Sequence, residues 1–173
     1  MKHIILLSFL YLLCNFTAQA ELMTVRRILD GDTVEFYNQT YDIVMCRIMG
    51  IDTPEKFKGP KLKKDVAKTN IDEITHIQAG TLSTQYAENY FKRNYPFDVK
   101  IVTKDLYQRN VCLVTDKANT YNCQILADGF AVVYKGGKQI PKEYRNYFNK
   151  CQDLGINKGL NIKYNKLMEE LRK

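Results

Sequence analysis

The sequence predicts an α+β protein in which a small closed sheet carries helices at one side. Short runs rich in β-branched and aromatic residues alternate with segments whose apolar residues recur at helical spacing. Hydrophobic residues make up 45% of the chain and charged residues 26%, a balance typical of a globular protein. The length of 173 residues fits one domain with extensions.

The first twenty residues are predicted to be a signal peptide (1–20) outside the fold. Lys2 and His3 give a positive start, residues 4–13 are apolar, and the small residues "AQA" precede Glu21. The apolar run is short for a membrane-spanning helix, although an uncleaved anchor is the alternative. We therefore expect cleavage after Ala20, no stable membrane insertion afterwards, and a secreted or periplasmic protein.

Five strands are predicted. A tight "DGDT" turn follows the first, and the next two are joined near residues 38–39. The strands are expected at 24–29, on the two sides of that joint within 34–49, at 97–103 and at 110–115. Five strands fit an OB-type barrel, although composition alone does not separate it from other small α+β folds.

Helices are predicted between and after these strands. Pro96 marks the end of a first helix, Gly129 closes a second, and proline lies in the first turn of a third. They are expected at 81–94, around 123–129 and at 141–154. Residues 56–79 are predicted to be a long basic loop with at most a short helical piece, and 164–173 a peripheral charged helix beyond a domain spanning 21–163.

The formal charge of +7 favours an anionic partner such as nucleic acid or a membrane surface. Basic exported proteins without such a partner are common, so charge alone does not decide. Four cysteines remain after the leader: Cys46, Cys112, Cys123 and Cys151. They allow two disulfides in three connectivities. We favour Cys112–Cys123 because these two lie near the ends of a predicted hairpin; four free thiols are the alternative.

Three separated segments carry residues suited to phosphate chemistry. They are "DGDT" with Asp30 and Asp32, "RIMGIDTPE" with Arg47, Asp52, Thr53 and Glu55, and "DLYQR" with Asp105, Tyr107 and Arg109. Carboxylates and a backbone carbonyl are the oxygen ligands that calcium or magnesium prefers. The absence of CxxC pairs and the presence of only two histidines argue against a zinc site. The alternative is that the aspartates only cap turns.

The arginines favour a catalytic interpretation. A guanidinium donates two parallel hydrogen bonds to a phosphate and stays charged at any working pH. Arg47 and Arg109 would neutralise charge that develops during in-line attack, and Glu55 would orient or deprotonate the attacking water. The alternative for both arginines is an ordinary salt bridge. Arg47 alternates with Ile43 and Met45 on one strand face, so it needs an anionic partner or access to solvent.

"ILDGDTVEF", "RIMGIDTPE" and "DLYQRNV", in this order, resemble the three signature segments of the staphylococcal-nuclease-like (thermonuclease) family. The resemblance runs from about Thr24 to Leu160. It implies a five-stranded OB-type β-barrel with flanking α-helices and calcium-dependent cleavage of DNA and RNA with low sequence specificity, leaving 3′-phosphate ends. We expect single-stranded or locally unpaired substrates to be favoured, and the protein to be a monomer.

The resemblance also implies roles for individual residues. It gives one Ca²⁺ ion bound by Asp32, Asp52 and the Thr53 carbonyl, with Asp30 in support. It gives phosphate binding by Arg47 and Arg109, water activation by Glu55, and a nucleotide site lined by Tyr107 and Tyr134. Lysines of the basic loop, Lys56 and Lys58 first, would follow substrate phosphates, unless the loop is simply solvated.

Two features depart from the family pattern. Gln108 stands where the family usually has glycine, and the loop after Glu55 is longer than the common form. Two other classes of protein are the alternatives: an OB-type module that binds nucleic acid without cleaving it, and a basic membrane-surface or structural protein. Arg47, Arg109 and Glu55 are all present together with both metal aspartates, which favours the enzyme.

Overall fold

A computed structural model describes residues 20–92, 95–116, 119–136 and 140–173. The predicted signal peptide lies outside these residues except for Ala20. Five strands form the barrel: β1 (Glu21–Asp30), β2 (Thr33–Tyr37), β3 (Ile43–Ile48), β5 (Phe97–Lys104) and β6 (Asn110–Asp116). Three short strands lie between or after them: β4 (Ile51–Asp52), β7 (Asn119–Thr120) and β8 (Val132–Val133).

The strands follow the order β3-β2-β1-β5-β6 with antiparallel neighbours, and a parallel pairing of β3 with β6 closes the ring. This parallel pairing sets Arg47 opposite Val111. The closed mixed barrel with its helices confirms the predicted α+β, OB-type fold.

Six helices flank the barrel within the described residues: α1 (Pro60–Thr69), α2 (Glu73–Phe91), α3 (Tyr121–Ala127), α4 (Lys142–Leu154), α5 (Leu160–Lys163) and α6 (Asn165–Arg172). Helix α2 packs on the barrel through Phe91, whose ring contacts those of Phe36, Phe97 and Tyr121. These four rings are buried and form the centre of the main core. Among the described helices, none has the length and apolar character needed to cross a membrane.

The prediction of a long loop over 56–79 was wrong. Helix α1 occupies the middle of this segment, and α2 begins at Glu73 instead of near residue 81. Local signals start and stop both helices: Pro60 lies in the first turn of α1, and Asn70 ends α1 in the left-handed conformation at φ 53°. The Asp72 side chain then caps α2 by accepting a hydrogen bond from Thr75 N at 2.8 Å.

The favoured disulfide, Cys112–Cys123, was also wrong. The bonds are Cys46–Cys112 and Cys123–Cys151, with Cα–Cα distances of 5.5 and 5.3 Å. The parallel pairing of β3 and β6 brings the first pair together, and the packing of α3 on α4 brings the second. Both pairs therefore depend on contacts between distant segments rather than on a hairpin.

The sequence predicts a peripheral C-terminal tail, but α6 is packed against the domain. Leu167, Met168 and Leu171 are buried in a second apolar cluster with Val132 and Ala79. The exposed charged residues Lys166 and Glu169 occupy the opposite side of an amphipathic helix. The tail is thus part of the wall beside strand β8.

Candidate active site

The turn between β1 and β2 places Asp32 against Thr53. Asp32 is buried, and its Oδ2 accepts hydrogen bonds from Thr53 N at 2.9 Å and Thr53 Oγ1 at 3.0 Å. The Tyr121 hydroxyl donates to the carbonyl of Gly31 at 2.7 Å and fixes the turn from the core side. Two segments far apart in sequence are joined in this way at one corner of the barrel.

Helix α2 lies close to this corner, and its approach requires a glycine. A Cβ atom on Gly80 would lie 2.5 Å from the carbonyl oxygen of Pro54, closer than any packed atom pair tolerates. Gly31 is similarly tight, since a Cβ atom there would lie 2.8 Å from Cγ2 of Thr53. The backbone that carries Thr53 and Glu55 is thereby held between the turn and the helix.

Arg47 is fixed by two carboxylates. Its Nη1 lies 2.6 Å from Asp32 Oδ1, and its Nη2 donates to Asp52 Oδ1 at 3.0 Å. Only 13% of the Arg47 side chain is exposed, and its guanidinium lies 5.7 Å from the ring centre of Tyr134. On the strand, Ile43 and Met45 share the Arg47 face as predicted, but this face is the exterior of the barrel.

The charges of this corner perturb one another. Burial would lower the pKa of Arg47, but Asp32 and Asp52 raise it above the ordinary value. Burial would raise the pKa of Asp32, but the charges of Arg47 and Lys61 hold it below the usual range. Burial and the neighbouring Asp32 carboxylate raise the pKa of Asp30 to about 7. Asp32 is therefore an anion that the neighbouring cations stabilise. At Asp30, burial disfavours the ionised form of the carboxyl group.

Lys61 is a member of the site that the sequence indicated only as one of several loop lysines able to follow substrate phosphates, and its contacts with the carboxylates were not predicted. From α1, its Nζ contacts Glu55 Oε1 and lies 3.2 Å from Asp52 Oδ1 and 3.8 Å from Asp65 Oδ2. Burial would lower the pKa of Lys61, but the surrounding carboxylates raise it above the ordinary value. The only signal available was its place in the lysine-rich segment after Glu55, where it was indistinguishable from its neighbours.

Arg109 lies on the turn that joins β5 to β6. Its Nε donates to Asp105 Oδ2 at 2.7 Å, and its backbone N donates to Asp105 Oδ1 at 3.0 Å. The guanidinium carbon lies 5.6 Å from the ring centre of Tyr107, which is exposed. Strand β6 begins at the next residue, Asn110, which pairs with the neighbour of Arg47 on β3.

The structure brings some of the predicted residues into direct contact and not others. Asp30, Asp32, Arg47, Asp52 and Thr53 are joined by hydrogen bonds or ion pairs, Glu55 is linked to them through Lys61, and Tyr134 adjoins Arg47. Within the described ranges, the ion pairs of Arg109 go to Asp105 alone.

Lys56 and Lys58 lie apart from these contacts. The Nζ of Lys56 lies 4.8 Å from the ring centre of Phe57, and that of Lys58 lies 2.7 Å from Glu73 Oε1. These partners orient both lysines along the loop and the start of α2.

The donor atoms at the corner fit a hard cation by their chemistry. Asp32, Asp52 and Glu55 supply carboxylate oxygens and Thr53 a backbone carbonyl, which suit calcium or magnesium. In the part of the chain that the structure describes, no three acidic, histidine or cysteine side chains converge as a metal site. Instead, Arg47 and Lys61 form ion pairs with the carboxylate oxygens. The negative charge of the carboxylates is therefore balanced by cationic side chains of the protein.

The family model for staphylococcal nuclease homologues matches residues 45–162, from β3 into α5. The matched stretch contains Arg47, Asp52, Glu55 and Arg109 and begins after the turn that carries Asp32. No curated protein sequence matches the chain. Since the match covers more than half of the chain, the protein belongs to the staphylococcal nuclease homologue family, nucleases that act on nucleic acids.

Proposed function

We propose that the protein is an exported, calcium-dependent nuclease that hydrolyses phosphodiester bonds of DNA and RNA with low sequence specificity and leaves 3′-phosphate ends. The observation that carries this proposal is the corner where Arg47 lies between Asp32 and Asp52. The same corner holds Glu55 through Lys61. A phosphate-binding cation, acidic ligands and a candidate base are thus within one small region.

Export is supported by sequence and by the cysteines. Residues 1–20 have the composition of a signal peptide, and four cysteines of the mature chain form two disulfides. Disulfides persist in oxidising compartments and are rare in the cytosol. A secreted or periplasmic location accounts for both features.

The proposed calcium ion would be held by Asp32, Asp52 and the carbonyl of Thr53. When bound, it supplies electrophilic stabilisation of the phosphate and helps to generate the nucleophile. Asp30 accepts a hydrogen bond from Asp32 N at 3.0 Å and so orients the turn that carries this ligand. The proposal assigns Asp30 a supporting role only.

The arginines and the glutamate act on the substrate itself. Arg47 and Arg109 donate hydrogen bonds to non-bridging oxygens of the phosphate and neutralise the charge that grows there during attack. Glu55 accepts a proton from water with the carboxylate oxygen that Lys61 leaves unbound. The water oxygen forms the new bond to phosphorus and the bond to the 5′ oxygen breaks. The 5′ oxygen takes up a proton from solvent and leaves as a hydroxyl, and the phosphate stays on the 3′ side.

The test is degradation of single-stranded DNA by the mature protein, first with calcium and then with a chelator. We expect chelation to stop cleavage. We expect Arg109→Ala and Glu55→Gln each to lower kcat by about a hundredfold or more. Arg47→Lys keeps the positive charge that Asp32 requires but loses the planar guanidinium that binds two phosphate oxygens. We expect a similar decrease in kcat.

Circular dichroism and thermal melting establish that the variants fold. Lys92→Gln, which removes an exposed cation at the far end of α2, serves as the control and should cleave at the wild-type rate. Full activity in all three site variants would refute the assignment. Binding of the oligonucleotide without any cleavage would indicate a nucleic-acid-binding module instead.

A further inference from the structure

The two arginines proposed to bind the phosphate lie on either side of the edge that closes the barrel. Arg47 lies on β3, and Arg109 comes directly before β6. Around the rest of the sheet, four antiparallel pairings separate β3 from β6. The parallel pairing of β3 with β6 is therefore the direct connection between the two arginines, and its register sets their relative position.

This closing edge is short. The pairing involves three consecutive residues of each strand, Cys46–Ile48 on β3 and Asn110–Cys112 on β6. By contrast, β2 pairs with β3 along its whole length. The Cys46–Cys112 disulfide crosses the closing edge with a Cα–Cα distance of 5.5 Å, and both cysteines are completely buried.

The disulfide reaches the end of the edge where the arginines lie. Cys46 directly precedes Arg47 in sequence. Hydrogen bonds reinforce the opposite end: Met49 N donates to the Cys112 carbonyl at 2.8 Å, and Asn122 Nδ2 donates to the Met49 carbonyl at 2.8 Å. A covalent bond between Cys46 and Cys112 excludes a slip of one strand along the other, which a short pairing resists only weakly.

We propose that the Cys46–Cys112 disulfide is a positioning element that holds Arg47 and Arg109 in the arrangement needed for cleavage, so that full turnover requires this bond. The inference rests on the proposed function for the roles of the two arginines. Formation of the bond removes two electrons and two protons from the two thiols, and a disulfide oxidant accepts them as it is reduced to two thiols. A chain that is still in a reducing compartment before export therefore carries a weakly active site.

The second disulfide supplies an internal control. Cys123–Cys151 joins α3 to α4, and neither helix carries a residue proposed to bind the phosphate, the metal or the water. Replacement of both cysteines by alanine leaves Cys46 and Cys112 as the only cysteines of the mature chain. This variant can be refolded with oxidised glutathione or with a dithiol, so that the two samples differ in a single bond.

The test compares cleavage of single-stranded DNA by the two samples in calcium after desalting. Alkylation under denaturing conditions and mass spectrometry establish the state of the bond, and circular dichroism establishes that both samples are folded at the assay temperature. We expect kcat of the reduced sample to be lower by about tenfold to a hundredfold, because small displacements of catalytic groups have effects of this size. Reoxidation should restore kcat.

A loss of stability also lowers turnover, and Arg109→Ala separates the two causes. If the bond acts through the arginine pair, its reduction should have a much smaller effect on kcat in a chain that already lacks Arg109. A bond with a purely structural role would lower kcat by the same factor in both backgrounds.

Three results would each overturn the inference: an unchanged kcat in the reduced sample, an equal decrease with and without Arg109, or a reduced chain that does not fold, because the bond would then serve the fold as a whole. If the oxidised sample cleaves no DNA, the proposed nuclease is refuted. The affinity for a labelled oligo-dT eight-mer in chelator, measured by fluorescence anisotropy, then decides the inference separately. Weaker binding on reduction would support the positioning of the two arginines, and equal binding would overturn it.

Discussion

The two arginines that are proposed to bind the same phosphate, Arg47 and Arg109, lie in different surroundings. Arg47 is on a barrel strand, is 13% exposed, and is bound by two carboxylates of which Asp32 is itself buried. Arg109 is on a turn, is 36% exposed, and is bound by Asp105 four residues before it. Arg47 is thus fixed by the tertiary structure, and Arg109 by a local turn.

This difference separates the consequences of losing each residue. The partners of Arg47 are also the proposed calcium ligands, so its loss affects the charge balance of the fold and of the metal site together. The partner of Arg109 has no such second role in the proposal. The two residues can serve the same chemistry while only one of them is also required by the fold.

The largest expected effect is on stability and concerns Arg47. Arg47→Ala leaves the buried Asp32 carboxylate without its main counter-charge, and we expect the free energy of unfolding to fall by about 3–5 kcal/mol. Arg109→Ala breaks a partly exposed pair, and we expect a loss of about 0–1 kcal/mol. Urea denaturation in the presence of a chelator measures both. Equal losses would contradict the comparison.

A double variant sharpens this result. In Arg47→Ala combined with Asp32→Asn the uncompensated charge is removed as well, so part of the lost stability should return. Simple additivity of the two single losses would indicate that the Arg47 variant is destabilised by lost packing and not by the unpaired carboxylate.

The next largest expected effect is a change in calcium affinity and concerns Lys61. The Lys61 ammonium contacts Glu55 and lies 3.2 Å from Asp52, so it competes with a divalent ion for carboxylate oxygens. Lys61→Met removes this competitor and leaves the site more negative. We expect calcium affinity, measured by calorimetry and by the calcium-dependent rise in Tm, to increase by about tenfold.

Lys58→Met is the control for this measurement. It removes the same charge from the same lysine-rich segment, but Lys58 is 81% exposed and pairs with Glu73, outside the corner. Its calcium affinity should match the wild type. Unchanged or weaker binding in the Lys61 variant would mean that the lysine supports the carboxylate arrangement instead of competing for it.

The sequence was sufficient for the strands of the barrel because their signals are local, whereas their closure into a barrel was implied by the family resemblance. Strand alternation, the "DGDT" turn and the three signature segments each lie within a short stretch, and the predicted strands match those observed. Helix α1 was missed because Leu62 is its one fully buried apolar residue among several lysines, so the segment shows no apolar periodicity. The signal that ends the helix, the left-handed Asn70, is a backbone conformation that the sequence does not state. Lys61 was missed with it.

The other failures concern contacts between distant segments. Cys46 meets Cys112 only after β3 and β6 close the barrel, and this pairing is not encoded near either cysteine. The burial of α6 likewise arises from packing against β8 and α1. Spacing along the chain carries no information on either arrangement.

The smallest expected effect concerns the turn that carries Arg109. Gln108 has φ 62°, in the left-handed region that a side chain disfavours and glycine adopts freely. Gln108→Gly should relieve this strain, against the larger entropy that glycine has in the unfolded chain, for a net gain of about 0.5 kcal/mol in the free energy of unfolding. Gln108→Ala keeps a Cβ atom and should give no gain, so the difference between the two variants in urea denaturation isolates the backbone contribution. A glycine variant that is less stable than the alanine variant would contradict the expected relief of backbone strain. A loss of stability in both variants would show that the Gln108 side chain helps to hold the turn, in addition to Asp105, whose carboxylate accepts hydrogen bonds from Tyr107 N and Arg109 N at 2.8 and 3.0 Å. A gain in the glycine variant alone would locate the strain in the left-handed backbone of residue 108, within a turn whose Asp105 bonds Arg109 separately from the carboxylates that fix Arg47.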